Sequence, residues 1–125
     1  GAMKTNVTII GIEKDGKIVV IKFIDGKKYR LQHPGNRTYL AWQKEFFSVV
    51  EGMDMALFLD KAFEHCVIPE GHDFKPTVDD VKPKELEVWG RMLRRFLGGD
   101  LDTMVAAVGE TSEGSGDPSV RAKRG

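Results

Sequence analysis

The chain is short of cysteine, of net charge and of long apolar runs, and each shortage excludes something. A single cysteine, Cys66, among 125 residues leaves no internal disulfide framework and fits a reducing cytoplasm. Nineteen Lys and Arg against nineteen Asp and Glu give a formal charge of zero. A neutral chain lacks the positive field that non-specific DNA or anionic-membrane binding requires. No apolar run approaches the roughly 20 residues of a membrane span, and no signal peptide is visible. What is present is ordinary: 41% hydrophobic and 30% charged residues match a globular protein with one core. Gly1-Ala2-Met3 reads as a tag scar, so residues 1–4 are set aside from the fold. Residues 5–108 then form a single domain. Residues 109–125, dominated by Gly, Ser and charge, are expected to be a disordered tail, because they cannot offset chain entropy by burial.

Three β-rich runs come first: Asn6 to Ile12, Lys17 to Ile24 and Lys27 to Gln32. Asp15-Gly16 and Asp25-Gly26 between them predict type I′ hairpin turns and hence a three-stranded antiparallel meander. A meander this small needs a packing partner, and the rest of the chain supplies helices. After His33-Pro34-Gly35, Asn36 is the expected N-cap of a helix reaching about Val50, with Tyr39, Trp42, Phe46, Val49 and Val50 at helical spacing. A second helix is expected from Asp54 to about His65, carrying Met55, Phe58, Leu59, Ala62 and Cys66 on one stripe and ended by Pro69-Glu70-Gly71. Residues 70–82 read as a loop. Pro83 suits the first turn of a third helix, whose stripe is Leu86, Trp89, Leu93, Phe96 and Leu97. Gly98-Gly99 stops it, and Asp100 caps a short last helix with Leu101, Met104, Val105 and Val108. The fold class is α+β: a meander followed by three or four packed helices.

Catalytic chemistry finds little to stand on. His65, Cys66 and His72 are the one soft-ligand cluster, but adjacent residues on a helix point about 100° apart and suit one metal ion poorly. Cys66 continues an apolar stripe and reads as a small buried hydrophobe. Asp73, Asp79 and Asp80 lack the alternation of an oxygen-ligand loop. The Gly35-Asn36-Arg37-Thr38 helix start can hold an anion, though a plain capped start explains it as well. No nucleophile elbow or phosphate loop occurs, so no catalytic, cofactor-binding or metal residue is assigned and no cofactor is expected.

The surplus is apolar. Two Trp, seven Phe and five Met are many large side chains for about a hundred ordered residues. Trp42, Phe46, Phe47, Phe58, Phe63, Trp89 and Phe96 lie on helices whose apolar positions spread around more than one face. Phe46-Phe47 and Met55 to Leu59 are not all expected to point inward in a thin two-layer domain. Trp42, Phe46, Phe47, Met55, Phe58 and Trp89 are therefore the candidate partner-binding residues. A well-filled core is the competing reading. Outer strands of the meander offer a second route to pairing with another chain.

The order of two segments, Leu31-Gln-His-Pro-Gly35 and Ala62-Phe-Glu-His-Cys-Val-Ile-Pro-Glu70, resembles the small tail assembly chaperones of long-tailed bacteriophages, especially those of Gram-positive hosts and their prophages. The resemblance covers roughly residues 5–97. It implies a cytoplasmic protein of the infected host that self-associates along the long tape-measure protein. That coat keeps the client soluble until tail tube protein polymerises around it. It implies structural rather than catalytic roles for the His33-Pro34-Gly35 turn and for Val67-Ile68-Pro69. Two rivals remain: a structural tail subunit such as a tube or connector protein, and a small nucleic-acid-binding regulator using Arg91, Arg94, Arg95, Arg121, Lys123 and Arg124. Neutral charge makes the regulator the weaker case, so neither nucleic acid nor membrane is expected as a partner.

Overall fold

The structure, a computed structural model, describes residues 7–104. The expected tag remnant at residues 1–4 and the expected disordered tail at 109–125 lie outside the described residues. In chain order the elements are β1 (Val7–Glu13), β2 (Ile18–Phe23), β3 (Lys28–Gln32), α1 (Asn36–Phe46), β4 (Phe47–Ser48), β5 (Gly52–Met53), α2 (Met55–Cys66), β6 (Val67–Glu70) and α3 (Pro83–Leu97). The fold is α+β, with a four-stranded antiparallel sheet in the order β1-β2-β3-β6 and a separate two-stranded hairpin, β4-β5.

Register decides which side chains enter the core. Val7 lies opposite Phe23, Ile9 opposite Ile21, Ile21 opposite Tyr29, Val19 opposite Leu31, and Leu31 opposite Val67. Strand side chains alternate between faces, so these residues share one face. All of them except half-buried Ile9 are buried. The helices pack against that face. Trp89 of α3 stands 5.2 Å from the Phe23 ring, 5.3 Å from Tyr29 and 5.4 Å from Phe63 of α2. Such pairs add about 0.5–1.5 kcal/mol each beyond plain burial. On the opposite face Arg30 donates to Glu70 at 3.1 Å and to Glu13 at 3.4 Å.

A fourth strand, β6, joins the expected three-stranded meander. Val67-Ile68-Pro69 reads as a helix exit because proline stops helices, yet proline is also tolerated on an edge strand, where its missing N–H faces no neighbour. No connecting residue separates α2 from β6, so no turn signal announces the strand. β6 covers β3. Among the described residues the sheet ends at β6, short and carrying Pro69, and at β1, which has a bulge between Ile9 and Gly11. Both devices discourage edge pairing with another chain.

The turns are looser than expected. Asp25-Gly26 belongs to a three-residue loop in which Gly26 N–H donates to Phe23 O at 2.9 Å and Gly26 itself has φ +95°. One left-handed residue after a β-turn closes such a loop, and glycine takes that conformation without cost. Between β1 and β2, Lys14, Asp15 and Gly16 all have positive φ, and a side chain at Gly16 would run into Leu101.

Each helix start and stop has a local cause. Asp54 accepts from the Leu57 N–H at 3.1 Å and caps α2 as expected. Gly35, not Asn36, occupies the cap position of α1, without a side-chain cap bond. Pro83 opens α3 at its first turn. Asp100 accepts from the Thr103 N–H at 3.3 Å, and residues 101–104 are helical, with Met104 in the core. Val105 and Val108 lie outside the described residues. Lys75 reaches back to the end of α2 and donates to the carbonyls of Phe63 and Val67 at 2.9 and 2.8 Å. It satisfies acceptors that a helix C-terminus leaves open. His33 accepts from Gly35 N–H on Nδ1 at 3.0 Å, so Nε2–H donates to Leu97 O at 2.9 Å. That bond ties the turn before α1 to the end of α3.

Candidate partner-binding surface

The six side chains expected to meet a partner divide into two groups. Phe46, Phe58 and Trp89 are 2%, 1% and 1% exposed, so they belong to the core and not to a surface. Phe46 and Phe58 meet edge to face at 5.3 Å where α1 crosses α2, and Trp89 fills the centre of the sheet face. The core is thicker than a two-layer estimate allowed, because the end of α1 and the start of α2 both turn a ring inward. Phe47 is 58% exposed, Met55 stands at 36% and Trp42 is half-buried.

The break between Phe46 and Phe47 explains how adjacent rings part. α1 ends at Phe46 instead of reaching Val50, and Phe47 is extended at φ −117°, ψ 126°. Ser48 Oγ accepts from the N–H groups of Val50 and Glu51, both at 3.2 Å, which bends the chain into a hairpin instead of another helical turn. β-branched Val49 and Val50 lose less rotamer freedom outside a helix. Phe47 pairs with Met53 and Ser48 with Gly52, and Asp54 N–H donates to Phe46 O at 2.6 Å across the hairpin base.

That hairpin carries the most exposed apolar residues among the described ones. Val49 and Val50, expected on the buried stripe of α1, are 97% and 92% exposed. Leu40 on α1 is also exposed. Trp42 packs against His65 at 5.4 Å, with Lys61 Nζ 5.7 Å from its ring and paired to Glu45 at 3.2 Å. Met55 of α2 lies against Gly90 of α3, its Cε 3.5 Å from where a Cβ on Gly90 would stand, an ordinary packing distance. The arrangement offers aliphatic and aromatic surface with a charged flank. The signal for it was Ser48 followed by Val-Val-Glu-Gly, a poor helical run ending in a turn residue.

The groups weighed for chemistry are dispersed. Cys66 is buried at the end of α2, and burial pushes its thiol up to about 12. His65 faces Trp42, whereas His72 donates to Lys28 O at 2.9 Å. Asp80 is bonded to Thr77 at 2.9 Å. Among the described residues no group of three His, Cys, Asp or Glu side chains is placed to hold a metal ion. Arg91 pairs with Glu87 at 3.9 Å, and Arg95 donates to Arg91 O at 3.3 Å. Arg121, Lys123 and Arg124 lie outside the described residues. No helix among the described residues is long and apolar enough to cross a membrane. Compared with known proteins, the chain matches no family model, no curated protein and no solved structure.

Proposed function

We propose that this protein is a tail assembly chaperone of a long-tailed bacteriophage, binding the tape-measure protein in the host cytoplasm through the β4-β5 hairpin. The observation that carries the reading is the Val49-Val50 tip, nearly fully exposed and pinned by Ser48 and Asp54 rather than left loose. Fully burying an aliphatic side chain of this size is worth about 1.5–3 kcal/mol, so an exposed pair on a fixed turn favours an apolar partner. A long amphipathic client helix supplies that partner in many copies, with Phe47 and Leu40 extending the contact. The resemblance in Leu31–Gly35 and Ala62–Glu70 supplies the class of client, and Leu31 and Val67 of those segments pair directly across β3 and β6. In this reading the copies associate along the client and leave when tail tube protein assembles. No catalysis is involved.

Co-expression with the tape-measure protein of the same tail gene cluster, followed by affinity purification and light scattering, tests the proposal. The expected result is a soluble complex with many copies of this chain per client, lost in a Val49→Asp, Val50→Asp double variant. A client that is soluble without bound chain, or a chain retained in purified virions, overturns it in favour of a structural tail subunit.

A further inference from the structure

A second site lies away from the hairpin, and none of the hairpin residues lines it. The β2-β3 turn, the segment before α3 and the first turns of α3 enclose a cleft of about 220 Å³. Phe23, Tyr29, Val81 and Trp89 are its buried walls, and half-exposed Phe74 stands at its mouth. The cleft is smaller than the roughly 300–1,000 Å³ pockets that hold whole small molecules, and it is the size for one side chain.

Its polar groups are unevenly used. Lys27 donates to both carboxylate oxygens of Asp25, at 2.9 Å from its backbone and 3.1 Å from Nζ, and its Nζ stands 6.0 Å from the Phe74 ring. Asp80 is bonded to Thr77. Neither the Glu85 carboxylate nor the Lys82 ammonium group has a hydrogen-bond or ion-pair partner among the described residues. The Tyr29 hydroxyl also lacks a hydrogen-bond partner there, although the residue is only 3% exposed. A buried hydroxyl without a partner is uncommon and calls for a water or a ligand. Three carboxylates and two ammonium groups line the cleft, and one of the ammonium groups is already committed to Asp25.

We infer that this cleft binds an organic cation on an apolar stem, the side chain of a lysine or arginine in a partner polypeptide. The stem lies between Phe74 and the aromatic walls. The cationic head meets the Glu85 carboxylate and donates to the Tyr29 hydroxyl oxygen, with the ring faces adding cation–π attraction. The potential around Tyr29 agrees in sign: burial first, then the Asp25 and Glu85 carboxylates, push its hydroxyl up to about 12. Three carboxylates against two ammonium groups leave the lining net negative, which disfavours an anion beside Asp25 and Glu85. The inference does not depend on the hairpin's client.

The test uses the full chain labelled with ¹⁵N and titrated with N-acetyl-lysine methylamide, N-acetyl-norleucine methylamide or sodium acetate, following the Trp89 indole N–H. The lysine derivative is expected to shift that signal saturably, and the uncharged and anionic probes are not. Glu85→Gln, at a half-exposed position with no partner to lose, should weaken binding about fivefold while leaving the spectrum folded. Tyr29→Phe keeps the ring and should weaken it about threefold. Equal binding of the norleucine derivative, undiminished binding by folded Glu85→Gln, or no shift with the lysine derivative each overturns the inference.

Discussion

α1 and α3 carry similar apolar spacing and spend it differently. α3 buries Trp89, Met92, Leu93, Phe96 and Leu97 against the sheet and α2. α1 buries Phe46 alone, with Tyr39 and Trp42 half-covered and Leu40 exposed. The difference follows from what each helix meets. α3 lies over the aromatic centre of the sheet, whereas α1 reaches the core at its last turn and then gives way to an exposed hairpin. A helical apolar period shows that a face exists, and the neighbouring elements determine whether that face is covered.

Paired substitutions across this divide break the comparison most sharply. Phe58→Asp places a carboxylate among buried rings and is expected to abolish the fold, since even Phe→Ala at such sites costs about 3–5 kcal/mol of a total near 5–15 kcal/mol. Phe47→Asp, one residue past the end of α1, is expected to cost less than about 1 kcal/mol and to leave the circular dichroism spectrum unchanged. Equal loss of structure in both would place Phe47 in the core and remove the surface reading.

A smaller effect comes from pH. Tyr29 is held neutral by burial and by the Asp25 and Glu85 carboxylates, with its hydroxyl pushed from 10.0 up to about 12. Between these values the folded state keeps a proton that the unfolded chain releases, so stability falls as pH rises from about 10 to about 12. The full loss is of order 2–3 kcal/mol, at 1.36 kcal/mol per pH unit. Denaturant midpoints across that range are expected to fall in the wild type and to fall less in Tyr29→Phe. The same burial shields Cys66, which should resist thiol reagents at pH 8 until denaturant opens the domain.

The sequence made the meander, α2 and α3 readable because their signals were local. Asp-Gly turns, the Asp54 cap, Pro83 and the Leu86-to-Leu97 stripe each act within a few residues. β6 was hidden because its pairing with β3 joins residues 40 apart, such as Tyr29 and Pro69, and because Pro69 carries the same sign for an edge strand as for a stop. Half of the expected surface was misplaced for a related reason. Phe46 and Phe47 are indistinguishable by composition, and one hydroxyl, Ser48 Oγ, bends the chain between core and solvent. The cleft beside Tyr29 was invisible, since Asp25, Phe74 and Glu85 come together only in the folded chain.

The smallest effect sharpens the comparison at the junction itself. Asp54 caps α2 through a single bond to the Leu57 N–H, while its own N–H closes the hairpin onto Phe46 O. Asp54→Ala removes the cap and keeps the backbone bond, at an expected cost of about 1 kcal/mol. Asp54→Asn retains an accepting oxygen and should recover most of that loss, because Asn caps about as well as Asp. If the hairpin is positioned by its backbone bond, client binding survives both changes while chemical denaturation midpoints separate them. Loss of binding in Asp54→Ala, with the midpoint barely moved, would instead show that the start of α2 must be capped for Val49 and Val50 to be presented. The apolar tip and the helix behind it would then act as one unit.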